Sequence, residues 1–141
     1  YGDQRYFLTS ETGAGQRHRI LQLLAVGKSE GITPIETVLP EEALLWRHGS
    51  FLVIVTSSPS EYWVKAASDL VKRGVKVVAV MVDGQSFGGD MEISGTLEGL
   101  ISAGVATYLV KKGDDIPIVL NKKYLVRESK TDPLKEPMLE T

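Results

Sequence analysis

The residues able to do chemistry in this chain are four aspartates, a cluster of serines, two histidines and a glycine-rich stretch. Asp83, Asp90, Asp114 and Asp115 each lie in a loop that comes after an apolar run. A sheet that brought those runs side by side would gather the carboxylates at one edge, as acid–base groups or ligands for a hard cation. Acidic residues are also ordinary turn formers, and that simpler role suffices for all four. Ser57, Ser58 and Ser60 also follow an apolar run, where a nucleophile could sit. The Gly-x-Ser-x-Gly elbow is absent, however, and Ser58 with Glu61 has the spacing of a helix cap. The stretch Asp83-Gly84-Gln85-Ser86-Phe87-Gly88-Gly89-Asp90 could cradle an anion on its backbone N–H groups. No lysine follows in P-loop spacing and two aspartates would repel phosphate, so the sequence favours a long connection with Phe87 packed on the core. The same loop also suits a docking surface. His18 lies between Arg17 and Arg19 with no residue to orient it as a base, and His48 suits a helix C-terminus. Cysteine is absent, which excludes a disulfide scaffold, a thiolate metal site and a cysteine nucleophile.

Alternating strands and helices would position these residues. Arg5 to Thr9 reads as a first short strand, and Gln16 to Val26 as a helix with Ile20, Leu21 and Leu24 on its apolar side. Thr33-Pro34 reads as a helix start with Thr33 as N-cap and Glu36 completing a capping box. Pro40 should kink or break that segment before it resumes to Trp46. Phe51 to Val55 is a continuous apolar run, predicting a strand buried on both faces in a parallel sheet. Ser58-Pro59 predicts a second capped helix start, with Trp63, Ala66, Ala67, Leu70 and Val71 on its buried side and Gly74 closing it. Trp46 and Tyr62 flank this region, and Trp46 could cover the sheet edge or meet a partner. Val75 to Val82 and Val105 to Val110 predict two more strands, joined by a short helix carrying Leu97, Leu100 and Ile101. Ile116 to Leu120 predicts a short strand or an apolar plug. The alternation predicts an open, mostly parallel α/β sheet with helices on both faces, Rossmann-like, whose ligands bind at the carboxyl ends of the strands. Residues 1–121 form one such domain, and the charged residues 122–141 read as a solvated, disorder-prone tail.

Composition agrees with one ordinary domain. The chain has 141 residues, 43% of them hydrophobic and 24% charged. Its 16 basic and 18 acidic residues give a formal net charge of −2, against a nucleic-acid binder that relies on a broad basic field. No apolar run approaches the roughly 18 residues of a membrane span. The lack of cysteine suits a reducing compartment. The first residue is Tyr1, so a fragment of a longer chain is expected.

Several pieces in order carry a family resemblance. They are Gly2-Asp3, the helix from Gln16 to Ala25, the Gly31-Ile32-Thr33-Pro34-Ile35 turn, and Arg47-His48-Gly49-Ser50 leading into Phe51 to Thr56. Arg73-Gly74-Val75 and Ser86-Phe87-Gly88-Gly89 complete the set. Together they resemble the C-terminal part of bacterial proteins called "domain of unknown function 58", over about residues 2 to 115. The resemblance implies a von Willebrand factor A-like fold with a metal-ion-dependent adhesion site at its carboxyl edge. It implies a non-enzymatic role, a protein partner such as an AAA-type ATPase of the MoxR kind, and a cytoplasmic setting tethered to a membrane by a region outside this chain.

Only part of that metal site carries over. Thr33 matches the family threonine. The Asp-x-Ser-x-Ser motif occurs nowhere, and Thr56 is followed by Ser57 where the family has aspartate. Serine lacks the anionic oxygen a hard cation prefers. The expectation is therefore a degenerate site, with no metal or other cofactor and no catalysis. The strand that bears the missing motif is central in the fold, so its absence predicts a rearranged sheet or an open edge that pairs with a second copy. The leading expectation is a protein-interaction module acting through Thr33, Thr56, Ser57, Ser58, Asp83, Ser86, Phe87, Gly88, Gly89 and Asp90. The alternative is an α/β domain that binds a small molecule or nucleotide at the same edge, with or without enzymatic activity.

Overall fold

The computed structural model describes Leu8, residues 12–28 and residues 30–122. Of the expected strand Arg5 to Thr9, only Leu8 falls among these, and it is in no strand. The tail beyond Lys122 lies outside the described residues.

The described elements are α1 (Ala14–Val26), α2 (Ile35–Glu42) with a 3₁₀ turn (Ala43–Leu45), β1 (Phe51–Thr56), α3 (Tyr62–Lys72), β2 (Lys76–Val82), a 3₁₀ turn (Gly84–Phe87), α4 (Ser94–Ser102), β3 (Ala106–Val110) and α5 (Ile116–Leu120). The strands form a parallel sheet in the order β1-β2-β3. Ile54 pairs with Ala79, and Ala79 with Thr107. This is the α/β, Rossmann-like architecture expected of the strand–helix alternation.

The register places Leu52, Ile54, Val77, Ala79, Met81, Thr107 and Leu109 on one face of the sheet. Trp63, Ala67 and Leu70 of α3 and Leu97 and Leu100 of α4 join this face in the core. Helix α4 comes close to α3 because Gly99 has no side chain. A Cβ built there would stand 3.2 Å from Cγ1 of Val64. Both helices end on the same device. Gly74 and Gly104 take left-handed φ values of 83° and 78°. Val75 N–H and Val105 N–H donate to the carbonyls of Leu70 and Leu100, each at 3.0 Å. This is the Schellman ending, and it turns each helix directly into the next strand.

The other face differs from expectation. Phe51, Val53 and Val55 are 65%, 51% and 67% exposed, so β1 is buried on one face, not two. The physical reason is topological. Strands laid down in the order β1, β2, β3 through crossovers of one hand place α3 and α4 on the same side. Among the described residues, no helix buries this side of β1, where a layer over both faces was expected. Helix α1 has no buried residue, and Ile20, Leu21 and Leu24 stay exposed.

Several boundaries also move. Pro40 does not interrupt α2, which runs through it and tightens into the 3₁₀ turn two residues past Glu41. Ile116 to Leu120 is a helix, neither strand nor plug, because Asp115 caps it by accepting from Ile118 N–H at 3.3 Å. No helix among the described residues is long and apolar enough to cross a membrane.

Candidate functional site

The carboxyl ends of β1, β2 and β3 lie along one edge, and the site is built from the turns that close them. After β1, the hydroxyls act in series. Thr56 Oγ1 accepts from Ser58 N–H at 3.1 Å, Ser58 Oγ from Ser60 N–H at 3.3 Å, and Ser60 Oγ from Tyr62 N–H at 3.3 Å. These side-chain turns delay the helix. Thus α3 starts at Tyr62 with Glu61 before it, and Ser58 is not the N-cap that its spacing predicts. The Trp63 indole N–H donates to Ser58 O at 3.3 Å, and Thr96 Oγ1 donates to Pro59 O at 2.7 Å. The buried tryptophan and α4 thereby hold this turn from below. Ser57 is exposed.

After β2, Asp83 Oδ1 accepts from Gln85 N–H at 3.1 Å. Ser86 Oγ donates to Asp83 O at 2.7 Å and accepts from Lys112 N–H at 2.9 Å. Gly88, at φ 98°, reverses the chain, and its N–H donates to Gln85 O at 3.0 Å. Gly89 N–H donates to Gly84 O at 2.9 Å. The N–H groups of Gln85, Gly88 and Gly89 are thus turned inward, away from any anion. The tight turn leaves Phe87 55% exposed, not packed on the core as expected. Asp90 is exposed.

After β3, Asp114 Oδ2 accepts from Lys111 N–H at 2.7 Å. Asp83, Asp114 and Asp115 therefore each serve a backbone N–H of their own turn. Among the described residues no three His, Asp or Glu side chains come together in a way that could hold a metal ion. The donor set at β1 does not fit a divalent cation either. It offers two hydroxyls, Thr56 and Ser57, and the first is already engaged with Ser58.

Thr33 takes part in none of these hydrogen bonds. It is exposed, and Pro34, in an extended conformation at ψ 152°, stands at the N-cap position of α2 in its place. Pro34 O accepts from Thr37 N–H and Val38 N–H, so no capping box forms with Glu36. His48 is likewise not at a helix end, since the 3₁₀ turn stops at Leu45. Its ring lies against Gly74 at the opposite, amino edge of the sheet.

A second surface escaped the sequence reading. A cavity of about 400 Å³ lies between α2 and α3, with Leu39, Ala43, Ala66 and Leu70 among its lining residues. The signal was present as Tyr62, Lys65, Ala66, Asp69 and Arg73, recurring at helical spacing on the side of α3 that faces α2. No family model, curated protein or solved structure matches this chain.

Proposed function

We propose that this chain is a non-catalytic protein-interaction module of the von Willebrand factor A-like kind, with a degenerate adhesion site. What supports this reading is how the edge spends its polar groups. The hydroxyls of Thr56 and Ser58 and the carboxylates of Asp83, Asp114 and Asp115 are committed to backbone N–H groups of their own loops, and the Ser86 hydroxyl to Lys112 N–H in the loop after β3. Such an edge offers shape and an exposed aromatic ring, Phe87, in place of a nucleophile, a base or a cation. Its partner, by the family resemblance, is an AAA-type ATPase of the MoxR kind in the cytoplasm. The rival reading, a phosphate or nucleotide site, would need free amides in the glycine loop, and those of Gln85, Gly88 and Gly89 are taken.

Biolayer interferometry against a purified MoxR-type ATPase from the same genome tests the proposal, in nucleotide-free buffer with Mg²⁺ or with EDTA. Saturable binding that ignores EDTA and weakens about tenfold with Phe87→Ala is expected. Absence of binding, or binding indifferent to Phe87, overturns the edge as the docking surface. Loss of binding in EDTA overturns the degenerate site.

A further inference from the structure

The groove between α2 and α3 lies outside the carboxyl edge, and its residues combine an apolar floor with a cationic rim. Leu39 and Leu70 are buried at its base, with Ala43 and Ala66 beside them. Leu44 and Tyr62 at its margins are 86% and 81% exposed. Exposure of that degree leaves the burial of a leucine side chain unrealised. Tyrosine, moreover, is among the residues that most often anchor an interface.

Charge selects the occupant. Three charged residues line the groove, Lys65, Asp69 and Arg73. Asp69 Oδ1 lies 3.5 Å from Lys72 Nζ, so its charge is offset on its own helix. Lys65 and Arg73 remain, eight residues and about 12 Å apart along α3. Helix α2 carries Glu36, Glu41 and Glu42, but none of these lines the groove, whose own charged residues are two cations and one anion. Helix α1 of the same chain is a poor fit, since its polar residues include Arg17, His18 and Arg19.

From this geometry we infer that the groove binds an acidic amphipathic helix of a partner protein. Its leucine-like side chains enter between Leu39 and Leu70 and cover Leu44 and Tyr62. Its carboxylates, two helical turns apart, face Lys65 and Arg73. The mode is helix-in-groove, read through anchors at i, i+3 or i+4, and i+7. Tyr62 opens the α3 sequence just after the β1 turn, so one end of the groove reaches the carboxyl edge. The inference does not depend on what that edge binds.

The test uses fluorescence anisotropy with a labelled synthetic helix, alanine-based, bearing a leucine stripe flanked by glutamates. A twin peptide has lysines in place of the glutamates. The acidic peptide should bind the wild-type chain at least about tenfold more tightly than its twin, and high salt should erase the difference. The double variant Lys65→Glu with Arg73→Glu should reverse the preference. Leu44→Asp should weaken both peptides. All these side chains are exposed, and circular dichroism melting checks that each variant folds. Equal affinity of the two peptides for the wild-type chain, no binding of either, or a salt-independent preference overturns the inference, and needs no variant to do so.

Discussion

The hydroxyl of Ser86 joins two strand ends, accepting from Lys112 N–H at 2.9 Å while donating to Asp83 O at 2.7 Å. One side chain thus fixes the loop after β2 to the loop after β3, residues 26 apart in sequence. Ser86→Ala should cost about 0.5–1.5 kcal/mol, measured by urea unfolding. The larger local effect should be faster amide exchange at Lys112 and Gly89. Unchanged exchange at both positions would show that the loops are held by something other than this hydroxyl.

Gly74 carries two constraints, a φ of 83° and the His48 ring where a Cβ would go. Gly113 has a similar φ of 88° with nothing within 4 Å. Gly113→Ala should therefore cost about 1–2 kcal/mol, from the left-handed backbone alone. Gly74→Ala should cost more, and adding His48→Ala should recover part of the excess. Equal losses at the two glycines would mean that the imidazole swings away freely.

Neighbouring residues of β1 should respond very unequally to substitution. Ile54 is 5% exposed and packs in the core, so Ile54→Ala should cost about 2–5 kcal/mol. Val53 points to the uncovered face, so Val53→Lys should cost less than about 1 kcal/mol. A large loss at Val53 would reveal that this face is covered in solution. Its dependence on protein concentration would then separate a second copy from a segment of the same chain.

Divalent cations should not stabilise the fold. Melting curves with Mg²⁺, Mn²⁺ or Ca²⁺, compared with EDTA, are expected to superimpose, because Thr56 and Ser57 offer no carboxylate. A saturable rise in Tm would contradict this, since a ligand that binds the native state must stabilise it.

The sequence by itself determined what depends on local chemistry. The apolar runs ending at Val82 and Val110 are strands because β-branched residues repeat there without turn formers. Gly74 and Gly104 end helices because a left-handed position costs glycine little. Trp63 is buried because it shares a helical side with Ala67 and Leu70. Tertiary structure decided whatever depends on what lies opposite. An apolar run such as Phe51 to Val55 announces a strand but does not say how many layers cover it, and here Ile54 is buried while Phe51, Val53 and Val55 stay exposed. Serine spacing allows either a cap or a chain of side-chain turns, and the anchors from Trp63 and Thr96 accompany the second choice after β1. The groove between α2 and α3 exists only once two helices 20 residues apart in sequence are laid side by side, from Ala43 on one wall to Trp63's helix on the other. Short-range periodicity encodes which elements form, whereas packing sets which of their faces remain open to a partner.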